Sequence, residues 1–94
     1  MPRIHQAILA AIADGQFVVS DHADNQIRDR SIAAWQVIDG AATGKLLSER
    51  PETKPNPSVE LQQLLADGTP VKAVWSFVES ARFAKLVTVH FFDQ

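Results

Sequence analysis

The 94-residue chain contains no cysteine. It can therefore form no disulfide bond, and it offers neither a thiol nucleophile nor thiolate ligands for a metal. The absence is compatible with a reducing compartment such as the cytoplasm. Hydrophobic residues make up 46% of the chain and charged residues 21%, which is typical of a folded globular protein.

An excess of positive charge is also missing. Nine Lys and Arg stand against eleven Asp and Glu, which gives a formal net charge of −2. Proteins held on nucleic acid by phosphate contacts are usually basic, so the overall composition does not favour such a partner. A local basic patch stays open, because net charge does not determine how charges are distributed.

Long apolar runs are absent as well. No segment approaches the roughly 20 apolar residues of a membrane span. Near the N-terminus, His5, Gln6 and Asp14 interrupt the apolar residues, so we expect no signal peptide. We therefore expect a cytoplasmic protein without a membrane partner, folded as one domain over residues 1–94.

The first half of the chain has helical periodicity. Ile4, Ile8 and Ile12 recur every four residues and predict a helix over Pro2–Ala13, with Gly15 as its C-terminal cap. A short extended segment, Phe17–Val19, should follow.

Two further helices are predicted. Asp21 is the expected N-cap of the second helix, and Asp24 adds a second carboxylate to its first turn, where the helix dipole favours negative charge. A third helix should cover Ala33–Thr43 and end at Gly44.

The second half has the features of a sheet. Val59–Leu65 fits either a strand or a helix, and the Asp67-Gly68 turn that follows favours a strand. The predicted fold is α+β, with N-terminal helices packed on one face of a small antiparallel sheet. The other predicted segments are an extended Lys45–Glu49, a proline-containing loop Arg50–Ser58, and strands Val71–Val78 and Phe83–Phe92.

The last two strands can be aligned from their connection. If Val78 pairs with Phe83, then Trp75 lies opposite Leu86, Ala73 opposite Thr88 and Val71 opposite His90. The face with Trp75 is slightly the more apolar and should carry the helices. This register places Thr88 and His90 on the face that carries the helices, whereas a slip of one residue would reverse this.

A polar stripe runs along the predicted second helix. His22, Gln26 and Arg30 are spaced four residues apart and lie beside the apolar Ala23 and Ile27. Together with His90, the stripe offers an acid/base group and a guanidinium for a phosphate. That set is what metal-independent RNA cleavage needs, so the candidate catalytic residues are His22, Arg30 and His90.

Several short motifs resemble a bacterial family, the domain of unknown function 4258. These are Ser20-Asp-His-Ala23, Asp29-Arg30 with Ile32, the proline-containing loop, the Asp-Gly hairpin and Val87-Thr88-Val89-His90. The family pattern reads His-Ala, two residues, Arg-Met, one residue, Glu-Arg-Gly-Ile, and ends near Thr-Val-Tyr. The resemblance covers about Phe17 to Phe92. It implies a RelE-like toxin fold, a group that includes messenger-RNA-cleaving toxins of toxin–antitoxin pairs.

Several departures of the chain from that pattern bear on its function and fold. Loss of an arginine and a tyrosine weakens the implied RNA cleavage, because toxins of this fold use basic residues to hold phosphate. The family's usual serine cap of the next helix is also missing. The departures are Gln26 for the first Arg, Asp29 for Glu, Ser31 for Gly, Ala33 for the capping Ser and His90 for Tyr.

Each candidate residue also has a purely structural interpretation. His22 could bond a neighbouring carbonyl or carboxylate, Arg30 could pair with a carboxylate, and Gln26 could bridge the two. Trp75 is expected in the core, whereas Trp35 lies off the apolar stripe of its helix and suits an interface.

No metal site or cofactor is expected, because the side chains of Asp21, His22 and Asp24 diverge on a helix. The candidate binding residues are Gln26, Arg28, Trp35 and Thr88.

Two hypotheses about function follow. The first is a small toxin-like ribonuclease, which would act on RNA and pair with an antitoxin-like protein. The second is a non-catalytic interaction module or homo-oligomer on the same scaffold, which the acidic balance and the missing Arg and Tyr favour.

Overall fold

The computed structural model describes residues 3–92. In this range the chain forms three α-helices, a short 3₁₀ turn and five strands. In chain order these are α1 Arg3–Ala13, β1 Phe17–Val19, α2 Asp21–Asp29, α3 Ala34–Gly40, the 3₁₀ turn Ala41–Thr43, β2 Lys45–Arg50, β3 Ser58–Leu64, β4 Pro70–Val78 and β5 Phe83–Phe91.

The strands form one sheet in the order β1-β5-β4-β3-β2. The strands from β2 to β5 pair with antiparallel neighbours, as the hairpin signals predict. β1 adds to the free side of β5 in the parallel direction, so the sheet is mixed. The α+β prediction is confirmed, and the parallel edge strand is an addition that the sequence did not indicate.

The core lies between the helices and one face of the sheet, which we call the inner face. It is continuous, and the apolar positions of all three helices contribute to it. Its fully enclosed members include Ile8, Ala23 and Val37 from the helices and Val59, Leu61, Val71, Ala73, Trp75, Leu86 and Val89 from the strands.

A buried hydrogen-bond chain crosses this core. Trp75 Nε1 donates to Gln63 Oε1 at 3.0 Å, and Gln63 Nε2 donates to the Val37 carbonyl at 2.7 Å. Gln63 is the one amide side chain buried in the described core, and both of its polar atoms are satisfied. The predicted core position of Trp75 is confirmed.

The predicted boundaries agree closely with the structure. Val59–Leu65 is a strand, as the Asp67-Gly68 turn suggested, and occupies Ser58–Leu64. The third helix splits into α3 and the 3₁₀ turn but covers nearly the predicted Ala33–Thr43. The first helix runs from Arg3 to Ala13, and its predicted first residue, Pro2, lies outside the described residues.

The N-cap of α2 is Ser20, and the prediction of Asp21 is wrong. Ser20 has the extended backbone of a cap residue, and its side chain accepts the N–H of Ala23 at 3.0 Å. Asp21 is instead the first residue of the helix, where its carboxylate still meets the positive end of the dipole. Ala33 precedes α3 without a side-chain cap, as expected from the missing serine.

The register of β4 and β5 is partly as predicted. Trp75 pairs with Leu86, but Val74 then pairs with Thr88, so Val87 is an extra residue in a β-bulge. The predicted pairs Ala73–Thr88 and Val71–His90 are therefore wrong: Ala73 pairs with Val89 and Val71 with Phe91.

The bulge decides where His90 points. His90 pairs with Lys72 and alternates with the buried Val89, so it lies on the face away from the helices. The predicted orientation of Thr88 and His90 toward the helices is wrong for this reason.

No helix within residues 3–92 is both long enough and apolar enough to cross a membrane.

Candidate functional site

The second face of the sheet, which we call the outer face, is mostly polar, and none of the helices within residues 3–92 covers it. Alternation along each strand places every second side chain there. Cross-strand pairing arranges most of these side chains in three rows: Lys45, Gln62, Lys72 and His90; Ser48, Glu60, Val74 and Thr88; and Arg50, Ser58, Ser76, Lys85 and Val18. The apolar pairs Leu64–Pro70 and Val78–Phe83 lie at the two ends of the same face.

Charge is distributed unevenly between the two layers of the molecule. The three rows carry four fixed cations and one carboxylate, a balance of +3, to which His90 adds when protonated. Residues 3–44, which include all the helices, carry five Asp and three Arg, a balance of −2. The acidic total therefore conceals a basic face, which an anionic partner would approach first.

Glu60 lies at the centre of this face. Its carboxylate contacts Arg50 Nη2 at 3.2 Å and Lys72 Nζ at 3.5 Å, and it accepts a hydrogen bond from Ser48 Oγ at 3.1 Å. Its side chain is only 16% exposed, so these contacts hold it in one position. The glutamate is thus an ordered acceptor between two cations.

His90 lies beside this cluster. It is directly opposite Lys72, and cross-strand neighbours have Cβ atoms about 5 Å apart. Glu60, Lys72 and His90 therefore follow one another diagonally across three adjacent strands. A carboxylate, an ammonium and an imidazole on one open surface are able to move a proton and to hold a phosphate.

The polar stripe of α2 does not gather at this place. His22 is exposed at the first turn of α2, and Arg30 follows its last residue. Their separation of eight positions corresponds to about 12 Å along a helix axis. A catalytic role for His22 and Arg30 therefore stays a prediction. His90 lies on the face of the sheet away from α2.

Gln26, the middle residue of that stripe, binds the sheet. Its Oε1 accepts the backbone N–H of Val89 at 2.8 Å. β1 pairs with β5 only as far as Leu86, so no strand formed by residues 3–92 lies beside this part of the β5 edge. Ser20 Oγ donates to the Val87 carbonyl, on the same edge, at 3.1 Å. The segment from Ser20 to Gln26 therefore covers the edge of β5.

Arg30 packs on the inner side of the molecule. Its guanidinium lies 5.8 Å from the centre of the Phe91 ring, and Nη1 donates to the Gln26 carbonyl at 3.4 Å. It borders a cavity of about 280 Å³ that Gln36, Asp67 and other residues also line. Asp67 offsets the positive charge there, so this cavity is less suited to an anion than the outer face.

The other predicted binding residues lie apart from each other. Arg28 is exposed and pairs with Asp24 at 3.0 Å. Thr88 lies on the outer face beside Val74, in the row next to that of His90. Trp35 is 59% exposed on α3, and its ring borders an apolar groove formed with α1 and Phe17.

In the described part of the chain, no group of three or more His, Asp or Glu side chains is placed to hold a metal ion.

Sequence reasoning missed three outer-face residues, Arg50, Glu60 and Lys72. The alternation of polar and apolar residues in Val59–Leu65 and Val71–Val78 places Glu60 and Lys72 on the side opposite to Trp75. The alternation therefore indicates the face on which Glu60 and Lys72 lie. Their proximity depends on the register between β3 and β4, which cannot be read from the sequence.

Residues 19–91 match the family model described as "Domain of unknown function (DUF4258)". No curated protein and no solved structure matches the chain. The matched segment begins at the end of β1 and includes α2, α3 and the whole antiparallel part of the sheet.

Proposed function

The chain belongs to the family described as Domain of unknown function (DUF4258), and for it we propose a ribonuclease function, with single-stranded RNA bound across the outer face of the sheet. The observation that carries the proposal is the charge separation between the layers. The outer face has a balance of +3, although the whole chain has −2. A basic face of this kind attracts the phosphate groups of RNA, and their binding releases the counterions held by the RNA.

The chemistry uses Glu60, Lys72 and His90. Glu60 accepts the proton of a ribose 2′-hydroxyl, and the 2′-oxygen attacks the adjacent phosphorus. The bond from phosphorus to the 5′-oxygen breaks, and His90 gives that oxygen its proton. The products are a 2′,3′-cyclic phosphate and a 5′-hydroxyl, so atoms and charge balance without a further reactant.

Two cations fit the charge that develops during this step. Lys72 and Arg50 flank the Glu60 carboxylate, so a phosphate that approaches it meets both. The pentacoordinate phosphorus carries extra negative charge, which nearby cations stabilise more than they stabilise the substrate. In this proposal the two cations replace the family arginine that is Gln26 here.

The RelE-like grouping that the sequence resemblance implies is part of the same proposal. That group includes messenger-RNA-cleaving toxins, and this chain has an α+β fold with helices on one face of its sheet. The toxin–antitoxin role, the cytoplasmic location and the antitoxin-like partner belong to the proposal. His90 takes the place of the family's terminal tyrosine and keeps a group that can transfer a proton there.

The test is cleavage of a labelled single-stranded RNA by the purified protein. We expect His90→Ala and Glu60→Gln each to lower the cleavage rate about 10²-fold to 10⁴-fold. A strand with 2′-deoxyribose at every position should stay intact, because it lacks the nucleophile. Circular dichroism of each variant verifies that the fold is kept.

His22→Ala is the matched control, since His22 is an exposed histidine on the helical side. We expect it to retain the wild-type rate. Retention of activity by His90→Ala and Glu60→Gln, with loss in His22→Ala and Arg30→Ala, would return the activity to the α2 stripe. Failure of the wild-type protein to cleave RNAs of mixed sequence would reject a ribonuclease.

A second candidate function, a protein-interaction module, is favoured by Trp35. Its exposed ring and the apolar groove beside α1 form a surface suited to an apolar helix of a partner protein. Light scattering of the purified protein distinguishes a homo-oligomer from a monomer that binds a different protein. Trp35→Gln should abolish the association, and an unchanged complex would reject this surface.

A further inference from the structure

A cavity of about 190 Å³ opens on the outer face, at the opposite end from His90. Its floor is the third row of the sheet, where Ser58, Ser76 and Lys85 lie side by side on β3, β4 and β5. Residues 53–56 of the proline-containing loop also line the cavity. We call this space the loop cavity.

The polar part of the loop-cavity lining suits a negative charge. Lys54 of the loop and Lys85 of the floor both line the cavity, and three hydroxyl groups and one amide complete the polar lining. Pro55, Val74 and Val87 form the apolar remainder. None of the residues that line it, all of them in the described part of the chain, carries a carboxylate. The charged and polar groups that a ligand meets there are therefore all cationic or neutral.

The hydroxyl groups are arranged so that donors remain for a ligand. Ser58 Oγ donates to Thr53 Oγ1 at 3.2 Å. Because the Thr53 oxygen accepts that proton, its own O–H can donate to an acceptor in the cavity. Ser58 and Ser76 are 5% and 6% exposed, so burial fixes the positions of both groups. The floor is thus ordered before any ligand arrives.

Size and charge select the ligand group. A complete small-molecule site usually occupies about 300–1,000 Å³, so the loop cavity holds one group rather than a whole cofactor. A phosphate at the end of a chain carries about −1.5 to −2 charges, whereas a phosphate within a nucleic-acid chain carries one. Two lysines match the terminal group better than the internal one.

We propose that the loop cavity binds the terminal phosphomonoester of a nucleic-acid strand that lies along the outer face. This proposal rests on the proposed function, because the strand is the RNA that reaches Glu60 and His90. From Ser76 to Lys72 is four residues of β4, a distance of about 13 Å. A strand held by its end in the loop cavity would therefore present a nucleotide close to that end to the catalytic cluster.

The test compares three 2′-O-methyl oligonucleotides of one sequence, which bind like RNA but cannot be cleaved. One carries a 5′-phosphate, one a 3′-phosphate and one neither. We expect one phosphorylated form to bind about tenfold more tightly than the unphosphorylated form by fluorescence anisotropy. The preferred end shows which terminus enters the cavity.

Substitutions in the cavity should remove this preference. Lys85→Gln and Lys54→Gln should bring the three oligonucleotides to the same affinity. Lys54 is exposed on the loop, so its variant tests the cavity even if Lys85→Gln disturbs the sheet. Lys45→Gln is the matched control, because Lys45 lies on the outer face but not in the cavity. It should weaken all three oligonucleotides alike and leave the preference unchanged.

The outcomes separate the two proposals. Equal binding of all three oligonucleotides to the wild-type protein would overturn the end-phosphate site and leave RNA binding intact. Absence of binding by any oligonucleotide would overturn both RNA binding and the end-phosphate site. If inorganic phosphate then still shifted the amide resonances of Ser76 and Lys85, the cavity would be a site for free phosphate instead.

Discussion

Gln26 Oε1 accepts the backbone N–H of Val89 at 2.8 Å, and this bond closes the edge of β5 beyond the last residue of β1. A side chain of α2 here accepts the hydrogen bond that a neighbouring strand would otherwise accept. Val89 is fully buried, so its N–H has no access to water as a substitute. The polar stripe that suggests catalysis in the sequence is therefore, at its middle residue, a part of the sheet.

Gln26→Leu should destabilise the protein. The substitution leaves a buried donor unsatisfied, which costs about 1–3 kcal/mol of the free energy of unfolding. Urea denaturation measures the change. Asn25→Leu, at an exposed position of the same helix, is the control and should shift the value by about 0.5 kcal/mol or less. Equal effects of the two substitutions would show that the Val89 bond contributes nothing.

Ser20 and Asp21 should differ in their contributions to α2. Ser20→Ala removes both the cap to Ala23 and the bond to the Val87 carbonyl, so we expect a loss of about 1–2 kcal/mol. Asp21→Ala removes only a favourable interaction with the helix dipole, worth about 0.3–1 kcal/mol. Thermal and urea unfolding compare the two variants, and a larger effect at Asp21 would contradict the assignment of the cap.

Gln63 and Trp75 should be strongly coupled. Gln63→Leu leaves Trp75 Nε1 and the Val37 carbonyl without partners, and each buried group costs about 1–3 kcal/mol. Trp75→Phe removes the indole donor, so in the double variant only the Val37 carbonyl lacks its partner. We therefore expect the two substitutions together to cost less than the sum of their separate effects. Additive effects in the double-mutant cycle would contradict a direct bond.

Asp67 should titrate below the ordinary range of an aspartate. The backbone N–H of Thr69, which donates to Oδ1 at 2.9 Å, lowers the pKa of Asp67, and the Thr69 hydroxyl lowers it further. A lowered pKa in the folded state stabilises the fold above the unfolded pKa, and this contribution disappears as the pH falls through the folded pKa.

A carbon-detected NMR titration of the Asp67 carboxyl group measures this directly. Asp67→Asn keeps an acceptor for Thr69 but does not titrate, so its stability should depend less on pH in the acidic range. An Asp67 midpoint at or above the usual aspartate value would contradict the role of the turn.

Some features follow from local sequence signals. The helix at Ile4, Ile8 and Ile12, the hairpin at Asp67-Gly68 and the burial of Trp75 depend on periodicity or on turn chemistry, and the structure confirms them. Such signals act over a few residues, so one sequence is enough to see them.

Other features depend on contacts between distant segments. The bulge at Val87 shifts the register by one residue and moves His90 to the opposite face, although no local motif marks it. β1 joins β5 across more than sixty residues of chain, and Glu60 meets Lys72 only after β3 and β4 pair. His90, a predicted catalytic residue, therefore stays a catalytic residue in the proposal. Its neighbours are Lys72 and Glu60 instead of His22 and Arg30.

The most direct test of the central claim is an NMR titration of the protein with an uncleavable 2′-O-methyl RNA. If the outer face is the binding surface, the shifted resonances will be those of Lys45, Lys72, Lys85 and His90 with their neighbours on β2 to β5. Shifts confined to His22, Arg28 and the rest of α2, with an unchanged outer face, would contradict it.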